Sequence, residues 1–176
     1  MKIDQPGAHL DQMLRQTRAH HVQLSSMADM KANMLLTMSA VVITLSAPRV
    51  AGPNFQWPFA VLIVFCLLTV GLAAYAVMPK LPLASSREPL PAIDNPHFNL
   101  LFFGDFIRLD YPTFEASMEK MMNDPSRTYE AQVREVYVLG LFLAAKKYRF
   151  LRLAYISFIV GLFACFLWML ISSVHQ

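Results

Sequence analysis

Charged residues are scarce in this chain. Asp, Glu, Lys and Arg make up 15% of its 176 residues, whereas soluble domains average about 25%. Hydrophobic residues make up 56%, and the mean hydropathy is +0.41. This composition excludes an ordinary soluble domain and predicts a small membrane protein.

The motifs of enzymes and cofactor-binding proteins are missing as well. The two cysteines, Cys66 and Cys165, lie in apolar stretches, where packing is their expected role. The sequence has no phosphate-binding glycine loop, dinucleotide-binding glycine pattern or Ser-His-Asp signature. The adjacent His20 and His21 point to different faces of a helix, which does not suit a helical metal site. We therefore expect no enzyme activity, no catalytic residue, no metal, no cofactor and no nucleic-acid partner.

Three long stretches contain no charged residue: Ala32–Pro48, Val50–Pro79 and Leu153–Gln176. A bilayer core takes about 20 helical residues. We predict an all-α membrane protein whose three transmembrane helices cover residues 32–48, 57–78 and 153–174. The first is short enough that a re-entrant or interfacial segment is the alternative. The remaining segments are predicted as an amphipathic helical arm (1–31), a short external turn (49–56), a proline-rich tether (79–98), and a Phe-rich loop with a second helical arm (99–152).

Positive charge predicts the orientation in the membrane. Four basic residues precede the first span, only Arg49 lies in the turn after it, and ten lie between Lys80 and Arg152. By the positive-inside rule, the N-terminus and the 79–152 loop are cytoplasmic and the C-terminus is periplasmic. Long helices should then continue from the spans into a small cytoplasmic helical domain.

Local signals predict the helices of that domain. In the first arm, one helical stripe recurs at spacings of three and four. Asp124-Pro125 supplies an N-cap and a first-turn proline for a helix that continues to Val174. Thr113 is the predicted N-cap of a short helix through Met122, and the apolar run from Asn99 predicts a strand or a buried turn. The stripe consists of Leu10, Leu14, Thr17, His21, Leu24, Ala28, Lys31 and Leu35.

The spans contain small residues at helix-contact spacing but no central acid or base. Since carriers and pumps bury ionisable residues at membrane depth, a transporter is disfavoured. Thr37, Ala40 and Thr44 form one stripe, and Ser157 and Gly161 belong to another. Such stripes allow close helix approach, so we expect a homo-oligomer in the lipid bilayer. A basic cluster that could bind anionic headgroups, or only mark the cytoplasmic side, consists of Lys146, Lys147, Arg149 and Arg152.

Five motifs are distinctive in combination: Leu14-Arg15-x-Thr17, His20-His21-x-x-Leu24-Ser25-x-Met27-Ala28-Asp29-x-Lys31-Ala32-Asn33-x-Leu35-Leu36, Asn99-Leu-Leu-Phe-Phe-Gly104, Tyr137-x-Leu139-Gly140 and Lys147-Tyr148-Arg149-x-Leu151-Arg152-x-Ala154-Tyr155. Together they resemble the membrane effectors of Pycsar antiphage systems. The resemblance implies a bacterial inner-membrane protein that is paired with a pyrimidine cyclase. It further implies an activating ligand, cyclic CMP or cyclic UMP, and impairment of the membrane on activation.

Residue chemistry suggests where such a nucleotide would bind. Guanidinium groups match paired phosphate oxygens, which makes Arg15, Arg18 and Arg108 candidates. Aromatic faces stack on bases, so Tyr111 or the pair Phe102 and Phe103 could hold the pyrimidine.

Asp29 and His21 complete the candidate ligand residues. Asp29 shares a helix face with Ser25 and Asn33, where the alternative to a ligand site is a polar cluster that pairs with another helix. A small lipid-modifying enzyme would have only His21 and Asp29 to use. The other competing function is a structural or regulatory membrane subunit that docks a soluble partner through its helices.

Overall fold

The structure, a computed structural model, describes residues 3–52, 56–78, 98–107 and 109–174, with the side chain of Phe103 left out. It is 88% helical, and these residues contain no strand. The apolar run at Asn99 is therefore a turn, the second of the two predicted forms. The elements are α1 (Ala8–Val50), α2 (Gln56–Val77), α3 (Phe103–Phe106), α4 (Tyr111–Met122), α5 (Pro125–Phe142), a π-helical segment (Leu143–Tyr148) and α6 (Arg149–Val174).

Three helices are long and apolar enough to cross a membrane. They are Ala8–Val50, Gln56–Val77 and the continuous helical stretch Pro125–Val174. The predicted all-α membrane fold with three such helices is confirmed. Helix α1 crosses the predicted boundary between residues 31 and 32 without a break and continues past Pro48 to Val50. Most of the predicted tether, residues 79–97, lies outside the described part.

The chain divides into two compact units. The polar unit comprises Met1–Gln23 and Pro79–Phe142, and the apolar unit comprises Leu24–Met78 and Leu143–Gln176. Helix α1 contributes residues to both units, as does the helical stretch from Pro125.

The core of the apolar unit consists largely of small side chains from three helices. Ser157 Oγ of α6 donates a hydrogen bond to the carbonyl oxygen of Phe65 (3.2 Å) on α2. The rings of Tyr75 and Phe150 meet edge to face, with their centroids 4.5 Å apart. Both cysteines are buried and free. The core residues are Ala28, Ala32 and Leu35 of α1, Leu62, Cys66 and Ala73 of α2, and Leu151, Ala154, Phe158 and Cys165 of α6.

The buried stripe of α1 differs from the prediction at one position. Lys31 is exposed, and the neighbouring Ala32 is fully buried instead. A charged side chain is not buried without a partner, and only a small one fits at this helix contact. The buried positions are therefore Ala28, Ala32 and Leu35. The three-residue spacing lies between Ala32 and Leu35, one turn later than the predicted spacing between Ala28 and Lys31.

The π-helical segment adjusts the register of the last long helix. Leu143 and Leu151 are buried, and Lys147 between them is mostly buried, so successive inward positions are four residues apart. From Leu151 to Ala154 and on to Phe158 the steps are three and four, as in a regular α-helix. A π turn closes i→i+5 hydrogen bonds and so holds an additional residue per turn. It thereby keeps all of these residues on one face.

The polar unit is built around a turn and two helices. A small core contains Phe98, Leu100 and Met121, all buried. Asp124 caps α5 as predicted, because its Oδ1 accepts from the backbone N–H groups of Ser126 (2.9 Å) and Arg127 (3.4 Å).

The N-cap of α4 is Asp110, so the prediction of Thr113 is wrong. Asp110 has an extended backbone, with ψ at 152°, and its side chain accepts from the backbone N–H of Thr113. Thr113 lies three residues later, inside the first turn, where its own N–H is the group that needs an acceptor. The Pro112 that follows the first residue of the helix suits this earlier start.

Candidate functional site

A pocket in the polar unit lies among the 98–100 turn, α4 and α5. Its volume is about 360 Å³. This is within the roughly 300–1,000 Å³ range of small-molecule sites. Its lining includes the buried apolar side chains of Phe98, Leu100 and Met121 and the amide of Asn99. It also includes four charged side chains, Lys120, Arg127, Glu130 and Arg134.

Asn99 is the most deeply buried polar residue of the pocket, with 2% of its surface exposed. Its backbone N–H donates to Oδ2 of Asp105 (2.9 Å), and its side-chain Oδ1 accepts from the backbone N–H of Leu101 (3.0 Å). The second bond fixes which end of the amide is oxygen. Its Nδ2 group is buried and has no hydrogen-bond partner in the described part of the chain. Buried donors without a hydrogen bond are uncommon, because an unmade hydrogen bond costs free energy.

The cations of the pocket differ in how they are held. Arg134 is fixed, since Nη1 donates to the carbonyl oxygen of Phe98 (3.1 Å) and Nη2 to Oε1 of Glu130 (2.9 Å). Arg127 makes only an exposed contact with Asp124 (3.5 Å). Lys120 is exposed and has no ion-pair partner among the described residues. The pocket therefore has one anchored cation and two whose charge is available to a ligand.

The ligand residues predicted from sequence do not line this pocket. Arg15 is exposed on α1, and Tyr111 is exposed at the start of α4. The Phe102 ring lies over Gly104. Arg108 and the side chain of Phe103 lie outside the described residues.

Two more of these residues face α5 within the polar unit. Arg18 forms an ion pair with Glu135 (3.2 Å). His21 lies beside Gly140, and its Nδ1 is buried without a partner in the described part. Nearby, Tyr129 Oη donates to Oδ1 of Asp11 (2.7 Å), and this bond raises the pKa of Tyr129. These contacts give α1 and α5 a polar interface.

The sequence interpretation missed Asn99, Lys120 and Arg127. Asn99 lies in a matching motif, where it begins an apolar run. A single amide ahead of several buried hydrophobic residues was the available signal, because burial of such a group requires partners. Lys120 and Arg127 carried no signal, since exposed helical cations are common.

Asp29 has a protein partner in the apolar unit. Lys147 Nζ lies 2.6 Å from Oδ1 and 2.8 Å from Oδ2 of Asp29, and 2.8 Å from Ser25 Oγ. The Lys147 side chain is 13% exposed and that of Asp29 42%. Tyr148 Oη donates to the carbonyl oxygen of Leu24 (3.1 Å). This geometry is that of a polar cluster between helices, one of the two alternatives for Asp29.

The other three basic residues of the cluster, Lys146, Arg149 and Arg152, are exposed. They lie on the same helical stretch as Lys147. Among the described residues, Lys147 is the member of this cluster that forms an ion pair with a carboxylate.

The two stripes of small residues have different surroundings. A Cβ placed on Gly161 would lie 2.5 Å from the Cβ of Phe65, so α2 and α6 approach closely there. In contrast, Thr37, Ala40 and Thr44 are exposed in the single chain. Both threonine hydroxyls donate to carbonyl oxygens one turn earlier in α1, at 3.0 and 2.9 Å. This face of α1 is therefore open and has its hydroxyl donors satisfied.

No group of three or more His, Cys, Asp or Glu side chains with metal-binding geometry occurs in the described ranges. The groups that line the pocket are cations, a carboxylate, an amide and apolar side chains.

Comparisons with known proteins assign the family. No curated protein and no solved structure matches the chain. A family model described as the Pycsar effector protein domain matches residues 12–174, which include both units and all three long helices. Members of this family are transmembrane effectors rather than cyclases, which agrees with the expectation of a non-enzyme. The chain therefore belongs to the Pycsar transmembrane effector family (PycTM).

Proposed function

We propose that this protein is activated by cyclic CMP or cyclic UMP and then impairs the bacterial inner membrane through self-association of its transmembrane helices. Family membership supports a role in a cyclic-nucleotide antiphage system. The match over residues 12–174 is the observation that carries the proposal. We infer the identity of the nucleotide, the effect on the membrane and the assembly.

The proposed partner is a pyrimidine cyclase that supplies the nucleotide. In this arrangement the N-terminus and residues 79–152 are cytoplasmic, and the C-terminus is periplasmic. The concentration of basic residues between Lys80 and Arg152 supports this orientation. A cytoplasmic sensor and a cytoplasmic cyclase would then share one compartment.

The open face of α1 supports self-association. Thr37, Ala40 and Thr44 face away from the core of their own chain and are small enough for another helix to approach closely. Large apolar side chains beside them, Met34, Met38 and Val41, are exposed as well. A second copy of the chain would bury this surface. Ligand binding drives such assembly only if the ligand has a higher affinity for the assembled form.

Measurement of the membrane potential in bacteria tests this function. The chain is expressed with an active pyrimidine cyclase, with a catalytically inactive cyclase, or alone. We expect depolarisation only with the active cyclase. Equal depolarisation in all three strains, or none with the active enzyme, contradicts the proposal.

A helix-contact variant tests the assembly step separately. Ala40→Leu places a large side chain on the open face of α1 and should reduce both the cross-linked oligomer and the depolarisation. Leu68→Ile on α2, which changes the shape of an exposed side chain but not its size, is the control. Wild-type assembly by Ala40→Leu would exclude this face as the contact.

A further inference from the structure

We propose that the pocket formed by the 98–100 turn, α4 and α5 is the binding site for the activating cyclic pyrimidine nucleotide. This inference rests on the proposed function for the identity of the ligand. The location of the site rests on the pocket's own residues.

The unpartnered amide of Asn99 indicates what the ligand must offer. Oδ1 already accepts from the Leu101 N–H, whereas the Nδ2 donors have no partner among the described residues and require an acceptor. Cytosine and uracil both carry a carbonyl at position 2 of the ring. Nδ2 is buried, so Asn99 would donate to this oxygen after its side chain moves toward the pocket, and the same contact serves cyclic CMP and cyclic UMP.

The two available cations supply a site for the cyclic phosphate. Lys120 on α4 and Arg127 on α5 line the same pocket, and neither has a buried partner among the described residues. A cyclic phosphodiester carries one negative charge on two free oxygens, which suits one lysine and one guanidinium group. Glu130 does not oppose this charge strongly, because it is paired with Arg134.

The rest of the pocket suits a base and a sugar. Phe98, Leu100 and Met121 are buried and provide apolar contact surface. The volume of about 360 Å³ is at the lower end of the range for small-molecule sites, as expected for a single nucleotide. Arg134 holds the backbone of the 98–100 turn through the carbonyl of Phe98, so this wall of the pocket is in place before a ligand arrives.

Calorimetric titration of the full chain in detergent tests the site. Cyclic CMP and cyclic UMP are titrated into the wild type, the double variant Lys120→Gln/Arg127→Gln, and the control Lys31→Gln/Arg49→Gln. The control removes the same charge from two exposed positions on α1. We expect the pocket variant to bind the nucleotide at least tenfold more weakly and the control to stay within about twofold of the wild type.

A second variant tests the contact with the base. Asn99→Asp keeps an oxygen for the Leu101 N–H and replaces the free donors by an acceptor, so we expect at least a tenfold loss of affinity. If Asn99→Asp does not fold, judged by circular dichroism and thermal unfolding, the Lys120/Arg127 variant decides, because both side chains are exposed.

The outcomes separate the site from the function. A wild type that binds either nucleotide, with pocket variants that bind it equally well, overturns the site and leaves the proposed function standing. A wild type that binds neither nucleotide overturns the proposed function and, with it, the ligand assigned to the pocket. Loss of affinity in the pocket variants alone supports both.

Discussion

The apolar unit and the polar unit bury different kinds of side chain. In the apolar unit the core consists of Ala, Cys, Leu and Phe, and the close approach of α6 to α2 depends on Gly161. In the polar unit an amide donor lies buried without a partner among the described residues, and it belongs to a pocket with two available cations. Tight apolar packing resists change because interiors are close-packed. The polar unit, in contrast, contains a hydrogen-bond donor and two cations that a ligand could pair with.

Each unit also contains one ion pair that involves α1. Each pair has one largely buried member, Lys147 (13% exposed) in the apolar unit and Glu135 (10% exposed) in the polar unit. Their partners on α1 are more exposed, Asp29 at 42% and Arg18 at 60%. Burial determines how much an ion pair matters, because removal of one partner leaves the other charge without solvent. Two variants in each unit compare the units, and they are ordered from the largest expected effect to the smallest.

Packing at Gly161 should give the largest effect. In Gly161→Ala the new Cβ would lie 2.5 Å from the Cβ of Phe65, which can move only with its backbone. We expect a loss of about 1–3 kcal/mol, measured by thermal unfolding in detergent. Gly71→Ala is the matched control, because no atom lies within 4 Å of its new Cβ. It should be neutral or stabilising by up to about 1 kcal/mol. Equal stability of the two variants would contradict close packing at Gly161.

Asp29→Asn should give the next largest effect, because it leaves the Lys147 ammonium mostly buried without a carboxylate. Asp29 is partly exposed, so we expect a loss of about 1–3 kcal/mol, between the values for surface and buried pairs. The double variant Asp29→Asn/Lys147→Met removes both charges and should recover part of that loss. Strictly additive effects in this double-mutant cycle would show that the pair contributes no coupling.

Arg18→Ala in the polar unit should have a smaller effect. Arg18→Ala leaves the Glu135 carboxylate, whose side chain is 10% exposed, without this cation. Because the guanidinium itself is mostly in water, we expect a loss of about 0.5–2 kcal/mol in the same unfolding measurement. The loss should decrease in high salt, which screens exposed pairs more than buried ones. A loss as large as that of Asp29→Asn would remove the contrast between the two pairs.

Asp110 should give the smallest effect, and one that depends on pH. Hydrogen bonds from Thr113, first from its side chain and then from its backbone, lower the pKa of the Asp110 carboxyl. The ionised cap therefore stabilises the folded state above the unfolded pKa of about 3.9, and this contribution is lost as the pH falls through the lower folded pKa. Asp110→Ala should lower the melting temperature slightly at neutral pH, and the difference should shrink in acid. A constant difference at every pH would exclude a role for the charge.

Much of the fold follows from local patterns in the sequence. Uncharged stretches predicted the three long helices, and Asp124-Pro125 predicted the start of α5, because these signals depend on neighbouring residues alone. The N-cap at Asp110 was also local, but Thr113 offered a competing hydroxyl within the same turn. Ala32 took the buried position beside Lys31 because the helix contact needed a small side chain.

The functional residues were harder to predict. Lys147 and Asp29 are 118 residues apart, and no local pattern connects them. The polar cluster of Ser25 and Asp29 was visible on one helix face, but its cation was not. The pocket around Asn99 requires α4 and α5 to meet the 98–100 turn, which is a tertiary feature. The residues predicted from sequence as nucleotide ligands therefore lie on other surfaces than this pocket, and their role stays a prediction.

The π-helical segment sets the angular phase of the helix that follows it. An α-helix turns by about 100° per residue. If Leu143–Tyr148 formed an ordinary α-helix instead of a π-helix, every side chain after it would be rotated by about 100° around the helix axis. Ala154 and Phe158, which follow the segment, would then turn out of the core. The hydrogen-bond pattern of six residues thus determines which face of a membrane-length helix is inside.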